Sequence, residues 1–290
     1  MLNTIRKWLN GRADRKYERM PPLPAHQNAP DNLYDMMPND LAALAKAGDG
    51  KAAYVLGDIF DQGDRDRPRN FKAALGWYMR AAELGDGDAL NNLGSMSQHG
   101  DGLPKDMIAA RNYYERAVAA GNPVAMGNLG KFYQKGDAGL PKDGVKAREL
   151  MTKGAELGDA NSMLSIGYDW RNGVSGRRNP RKALFWYRMA AKDGHRSGYF
   201  NLGQSYRLGD IVPRDYAKAN ELYEHARLRG SASATYCLGL LYWDGLGCEK
   251  SPAKALGYFR EAEDAGDPDA PEAIRILLEQ HPGLQPEEDI

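Results

Sequence analysis

Apolar residues return at every fourth position in two neighbouring stretches of the chain. Across residues 51–60 the series is Ala52, Leu56 and Phe60; across residues 71–85 it is Ala74, Tyr78 and Ala82, with Ala81 alongside. Spacing by four keeps side chains on one face of an α-helix. The residues between, 61–70, are polar. The pattern predicts a helix A, a loop and a helix B.

This unit repeats. Glycine falls at 48, 85, 121, 158, 194, 230 and 266, in steps of 36 or 37, and a second glycine follows nine residues later at 57, 94, 130, 167, 203 and 239. A period of this length indicates a stack of supersecondary units. The second glycine sits inside helix A, where it costs about 1 kcal/mol relative to alanine. Its recurrence implies that a bare backbone lets a neighbouring helix approach. The first series is expected to end helix B in a left-handed cap. Large residues recur in helix B as Trp77-Tyr78, Tyr113-Tyr114, Trp186-Tyr187 and Tyr258-Phe259, with Leu150-Met151 departing in the third repeat. The B-to-A link never changes length and the A-to-B link does, so the first is expected to set the stacking and the second to face solvent.

The loops share a pattern, as in Gly100-Asp-Gly-Leu-Pro-Lys-Asp106 and Gly136-Asp-Ala-Gly-Leu-Pro-Lys-Asp143. Together with Leu-Gly, the aromatic pair and Ala-Ala-x-x-Gly, these motifs resemble the Sel-like repeat family, a bacterial-rich relative of tetratricopeptide repeats. The resemblance covers about residues 38–280 and implies an all-α, right-handed α/α superhelical solenoid of about six helix-turn-helix repeats with terminal capping helices. It also implies scaffold or adaptor roles.

The ends read differently. Residues 1–20 are basic, with Leu2, Ile5, Trp8 and Leu9 on one potential helical face, and suggest a membrane-surface or partner-docking segment. Residues 21–38 hold five prolines and read as a linker. Residues 39–280 form the expected stack, opened by a half-repeat at 39–47 and closed by a capping helix over about 269–280 where Ile274-Arg275 replaces Leu-Gly. Residues 281–290 form an acidic tail. No uninterrupted apolar segment opens the chain, which reads as cytoplasmic.

Charge and cysteine content narrow the function. Lys plus Arg and Asp plus Glu both number 39, giving a net charge of zero. That balance argues against a nucleic-acid partner. Cys237 and Cys248 are too few for a disulfide framework. No histidine shows metal-ligand spacing, and neither a metal nor a cofactor is expected. Ser251-Pro-Ala-Lys254 matches Ser-x-x-Lys of serine acylases. However, Lys254 is a repeat feature, and Ser251 before Pro252 reads as a helix N-cap. No catalytic residue is assigned and no enzyme is expected.

The expected function is binding of a protein partner. In tetratricopeptide-like stacks helix A lines the inner, concave surface, which by register implies Tyr54, Asp58, Gln98, Lys131, Lys135, Tyr168, Arg171, Phe200, Arg207, Tyr236 and Trp243 as partner-binding residues. Gly127 falls at an equivalent inward position. Aromatic and arginine residues are frequent interface anchors, and their concentration in the later repeats suggests an extended or helical segment with aromatic or acidic side chains there. A narrower reading is an immunity or chaperone-like protein that neutralises a bacterial toxin or secreted effector. Another is a membrane-surface regulator acting through residues 1–20.

Overall fold

A computed structural model describes residues 33–63 and 68–285. The expected basic segment 1–20, most of the linker and residues 286–290 of the tail lie outside these. Among the described residues there are fourteen α-helices and no strands. An opening helix α1 (Pro38–Lys46) precedes six A/B pairs. These are α2 (Gly50–Gln62) with α3 (Phe71–Glu83), α4 (Gly87–His99) with α5 (Met107–Ala119), α6 (Pro123–Lys135) with α7 (Gly144–Glu156), α8 (Ala160–Asn172) with α9 (Pro180–Lys192), α10 (Arg196–Leu208) with α11 (Tyr216–Arg227), and α12 (Ala232–Asp244) with α13 (Pro252–Asp264). Helix α14 (Ala270–Gln280) closes the series. The architecture is an all-α helical repeat solenoid. It divides into two compact halves: described residues up to Ser165 with Val174–Gly176, and Ile166–Gly173 with residues from Arg177 onward.

The invariant B-to-A joint has a hydrogen-bonding cause. After α3, the Gly85 N–H donates to the Ala82 carbonyl and the Asp86 N–H to the Ala81 carbonyl. Gly85 has φ +86°, so this is a Schellman cap. The Asp86 side chain then accepts from Ala89 N at 2.8 Å and caps α4. One residue therefore closes helix B and opens helix A. The same pair of bonds recurs at Gly121-Asn122 and Gly194-His195, and Asn122 and His195 cap the following helices. An inserted residue would separate the two caps.

The A-to-B loop is also tied at both ends. The residue that caps helix B donates its N–H to a carbonyl three residues after the helix-A glycine, as in Asp106 to Ser97 and Asp215 to Tyr206. Length can vary only between these ties. As expected, this loop is largely exposed, but it also packs on its neighbour. A Cβ on Gly102 would lie 2.7 Å from the Phe71 Cβ, so the loop packs on the start of the preceding helix B. Likewise the Ala138 carbonyl accepts from Arg111 Nη1 at 3.0 Å. The end of the expected linker also packs: Leu33 is buried in the core of the first half and Met36 lies against it.

The helix-A glycines make a notch for one side chain of their own repeat. A Cβ on Gly94 would stand 2.6 Å from the Tyr114 ring, and one on Gly203 would stand 2.6 Å from Tyr223. Gly57, Gly167 and Gly239 receive Tyr78, Tyr187 and Phe259 in the same way. In the third repeat Met151 fills the notch of Gly130, and the Ala147 carbonyl stands 3.1 Å from where its Cβ would be. These inserted side chains are among the most deeply buried in the protein. The third repeat departs further: Ser162 is fully buried and occupies the space where Gly127 and Gly154 would carry Cβ atoms. Gly127 is therefore closed off and offers no inward binding position.

Two alanine substitutions separate the notch from helix propensity. Gly94→Ala gains about 1 kcal/mol of propensity, but overpacking against Tyr114 costs about 1–3 kcal/mol. Gly76, in α3, would place a Cβ in open space, so Gly76→Ala is expected to stabilise by about 0.5–1 kcal/mol. Thermal unfolding followed by circular dichroism should show midpoint shifts of opposite sign.

Candidate partner-binding face

In five of the six repeats the residue four places after the notch glycine lies near the side chain in the notch. Where the notch holds tyrosine, this position is polar. Gln98 Oε1 accepts from the Tyr114 hydroxyl at 3.0 Å. Arg171 stands at the Tyr187 hydroxyl and Arg207 at that of Tyr223; Asp61 lies near Tyr78. Where the notch holds Phe259, the position is Trp243, whose ring meets Phe259 edge-on at 5.8 Å. Where it holds Met151, the position is Gln134, which donates to Ser175 Oγ at 3.2 Å. Gln98, Arg171, Arg207 and Trp243 were all expected as partner contacts. Each has an internal duty as well.

The position three before the glycine behaves similarly. Tyr54, Phe200 and Tyr236 are half-buried, with ring centroids 6.0, 5.9 and 5.5 Å from Tyr78, Tyr223 and Phe259. Their outer edges extend an aromatic layer rather than standing free. Burial raises the pKa of Tyr54, Tyr78, Tyr114 and Tyr223 above the usual tyrosine value, and pushes that of Tyr187 up to about 12. It also pushes the Cys237 thiol, 5% exposed, up to about 11.

Positions one and five after the glycine carry side chains with fewer internal duties. In the first repeat Asp58 accepts from Gln62 Nε2 at 2.9 Å. In the third, Lys131 and Lys135 are exposed and form no ion pair among the described residues. In the fourth, Tyr168 is 57% exposed.

In the N-terminal half, Gln98, Lys131 and Lys135 meet around one cleft of about 500 Å³ between α4 and α6. Lys105, His99, Tyr114, Phe132 and Asp137 also line it, while Tyr54 and Asp58 do not. In the C-terminal half the expected arginine anchor is neutralised: Arg171 Nε donates to Asp210 Oδ2 at 2.6 Å, and Arg178 Nη2 donates to the Asp210 carbonyl at 2.7 Å. Asp210 follows a helix-A cap glycine, as Asp101 and Asp137 do, and that Gly-Asp recurrence was the available signal. Arg207 donates to Gln204 at 3.0 Å.

Elsewhere the motifs that suggested chemistry have structural roles. The Ser251 hydroxyl accepts from Lys254 N at 3.2 Å and caps α13. Both cysteines are free thiols. No helix among the described residues is long and apolar enough to cross a membrane.

The Sel1 repeat model matches residues 50–86, 87–122, 123–159, 160–195, 196–231 and 232–267. A crystal structure of a Sel1 repeat protein from Oxalobacter formigenes is similar, with 26% identity and a TM-score of 0.67, over 81% of this chain and 97% of that chain. An immunity protein from Pseudomonas aeruginosa shares the fold at 20% identity and a TM-score of 0.51, over 82% of this chain and 84% of that chain. The ERAD-associated E3 ubiquitin-protein ligase component HRD3B of Arabidopsis thaliana is 36% identical over 91 residues, 31% of this chain. The chain spans only 14% of the length of that relative, and 12% and 19% of two other curated relatives that it matches.

Two measurements test this layer. Trp243→Arg is expected to destabilise the wild type, because Phe259 offers no hydroxyl. Phe259→Tyr should relieve part of that loss, with a coupling of about 0.5–3 kcal/mol, read by a double-mutant cycle of thermal unfolding. The buried tyrosines stay neutral in the folded chain, whereas unfolded tyrosines ionise at about pH 10. Stability from this source is complete below about pH 10 and falls as pH rises further. Absorbance at 295 nm and helical circular dichroism should therefore change together on alkaline titration.

Proposed function

The chain belongs to the Sel1 repeat family, and we propose that it holds a partner protein against the exposed positions of its A helices, as a non-enzymatic scaffold. Sel1 repeat proteins are generally protein-interaction scaffolds. The observation that carries the reading is the difference between helix-A positions. Those three before and four after the glycine are largely committed to contacts within the stack, whereas several side chains one and five after it are exposed. Lys131, Lys135 and Tyr168 are such side chains, and among the described residues Asp58 bonds only its neighbour Gln62. Tyr168 supplies an exposed aromatic anchor of the kind that dominates binding energy. Phe200, Tyr236 and Trp243 would add apolar edge without having to be ordered on binding. The immunity reading is the same proposal with a toxin as the partner.

Affinity purification of the full chain tests it. Tyr168→Ala, and separately Lys131→Glu with Lys135→Glu, are expected to lower recovery of a specific partner by about tenfold. Val145→Lys and Leu228→Lys, which alter exposed positions of α7 and the turn after α11, should leave recovery unchanged. The opposite outcome would remove the helix-A face as the binding surface. If the partner inhibits growth when expressed alone and co-expression relieves it, the immunity form is supported.

A further inference from the structure

The N-terminal half contains a cleft whose chemistry is one-sided. Around its volume of about 500 Å³ stand Lys105, Lys131 and Lys135, with Asp137 as the one carboxylate among the lining residues. Lys105, Lys131 and Lys135 make no ion pair among the described residues. The Gln98 carboxamide oxygen is engaged by the Tyr114 hydroxyl, which leaves its N–H groups as the open function. The half-buried Met107, backed by the buried Phe132 ring, supplies a small apolar wall. The opening is thus rich in donors and positive charge beside a small apolar surface.

We propose that this cleft is the docking site for an acidic segment of the partner protein, with carboxylates placed on both sides of an apolar side chain. The proposal rests on the scaffold reading and assigns it a site and a ligand chemistry. Charge complementarity selects the occupant: three lysine ammonium groups against one carboxylate leave a net positive site that an acidic segment neutralises. The apolar wall separates a peptide from a polyanion. A phosphate backbone needs only the lysines, whereas a peptide can also set an apolar side chain against the half-buried Met107. The zero net charge of the whole chain further disfavours a polyanion, which would draw on a wider basic surface. Acid recognition thus moves from Arg171, neutralised by Asp210 at 2.6 Å, to the third repeat.

Selection of a random dodecapeptide library on the immobilised full chain tests the assignment. The expected binders are acidic with an internal apolar residue. Their affinity should fall at least tenfold on Lys131→Glu with Lys135→Glu and weaken as salt rises from about 50 to about 500 mM. Replacing the peptide's apolar residue by serine should also weaken binding. Lys131 and Lys135 are exposed, so their substitution does not disturb the core; circular dichroism confirms folding. Selection of neutral or basic peptides, absence of selected binders, or acidic binders unaffected by the lysine variants would overturn the cleft. So would heparin or polyuridylate binding more tightly than the selected peptides. Peptides lost on Tyr168→Ala but retained by the lysine variants would overturn the cleft while leaving the scaffold reading intact.

Discussion

Everything regular in this chain depends on one contact: a large side chain from helix B seated where helix A has no Cβ. The contact fixes the depth at which the two helices of a repeat meet, and it buries the ring almost completely. It also explains why a residue poorly suited to helices recurs in the middle of six of them. The propensity cost of each glycine is about 1 kcal/mol, and burying an aromatic side chain contributes about 1.5–3 kcal/mol. Packing therefore decides the residue. Its consequences reach the surface, because a tyrosine in the notch brings a hydroxyl beside the position four after the glycine and a phenylalanine does not.

The two linkers divide the remaining work. At the B-to-A joint, the residue after the cap glycine serves two helices, so the joint has one permitted length. At the A-to-B turn, a backbone bond ties each end and the middle is free to vary. That free middle nevertheless packs, since Gly102 lies against Phe71 and the Ala138 carbonyl receives Arg111. Stacking in the N-terminal half thus has two supports. Only the first showed as invariant length.

Much of the architecture was legible because it is periodic. The four-residue spacing of Ala52, Leu56 and Phe60 and the glycine phase placed both helices of a repeat. Loss of the Leu-Gly site at Ile274-Arg275 marked the closing helix, observed at Ala270–Gln280. What the sequence concealed lies in pairings between distant residues. Arg171 reads as a free cation until Asp210, 39 residues away, is seen to bind it. Gly127 reads as an open inward position until Ser162 is found filling its space. The cleft was half visible: Gln98, Lys131 and Lys135 follow from register, but Lys105 joins them only because its loop folds toward α6.

Trp243 shows why residue type alone misleads on such a face. A lone tryptophan among polar counterparts looks like a binding anchor. Here it stands where other repeats place Gln98, Arg171 or Arg207, and it meets a phenylalanine that needs no hydrogen bond. The departure from the repeat is compensated inside the repeat. By contrast, nothing within the described residues neutralises Lys131 and Lys135, and no notch side chain accounts for them. A repeat stack can change its exposed charges without changing its packing, whereas changing an aromatic of the inner layer alters both. Charge at the positions one and five after the glycine is therefore the most independent variable this fold offers for partner choice.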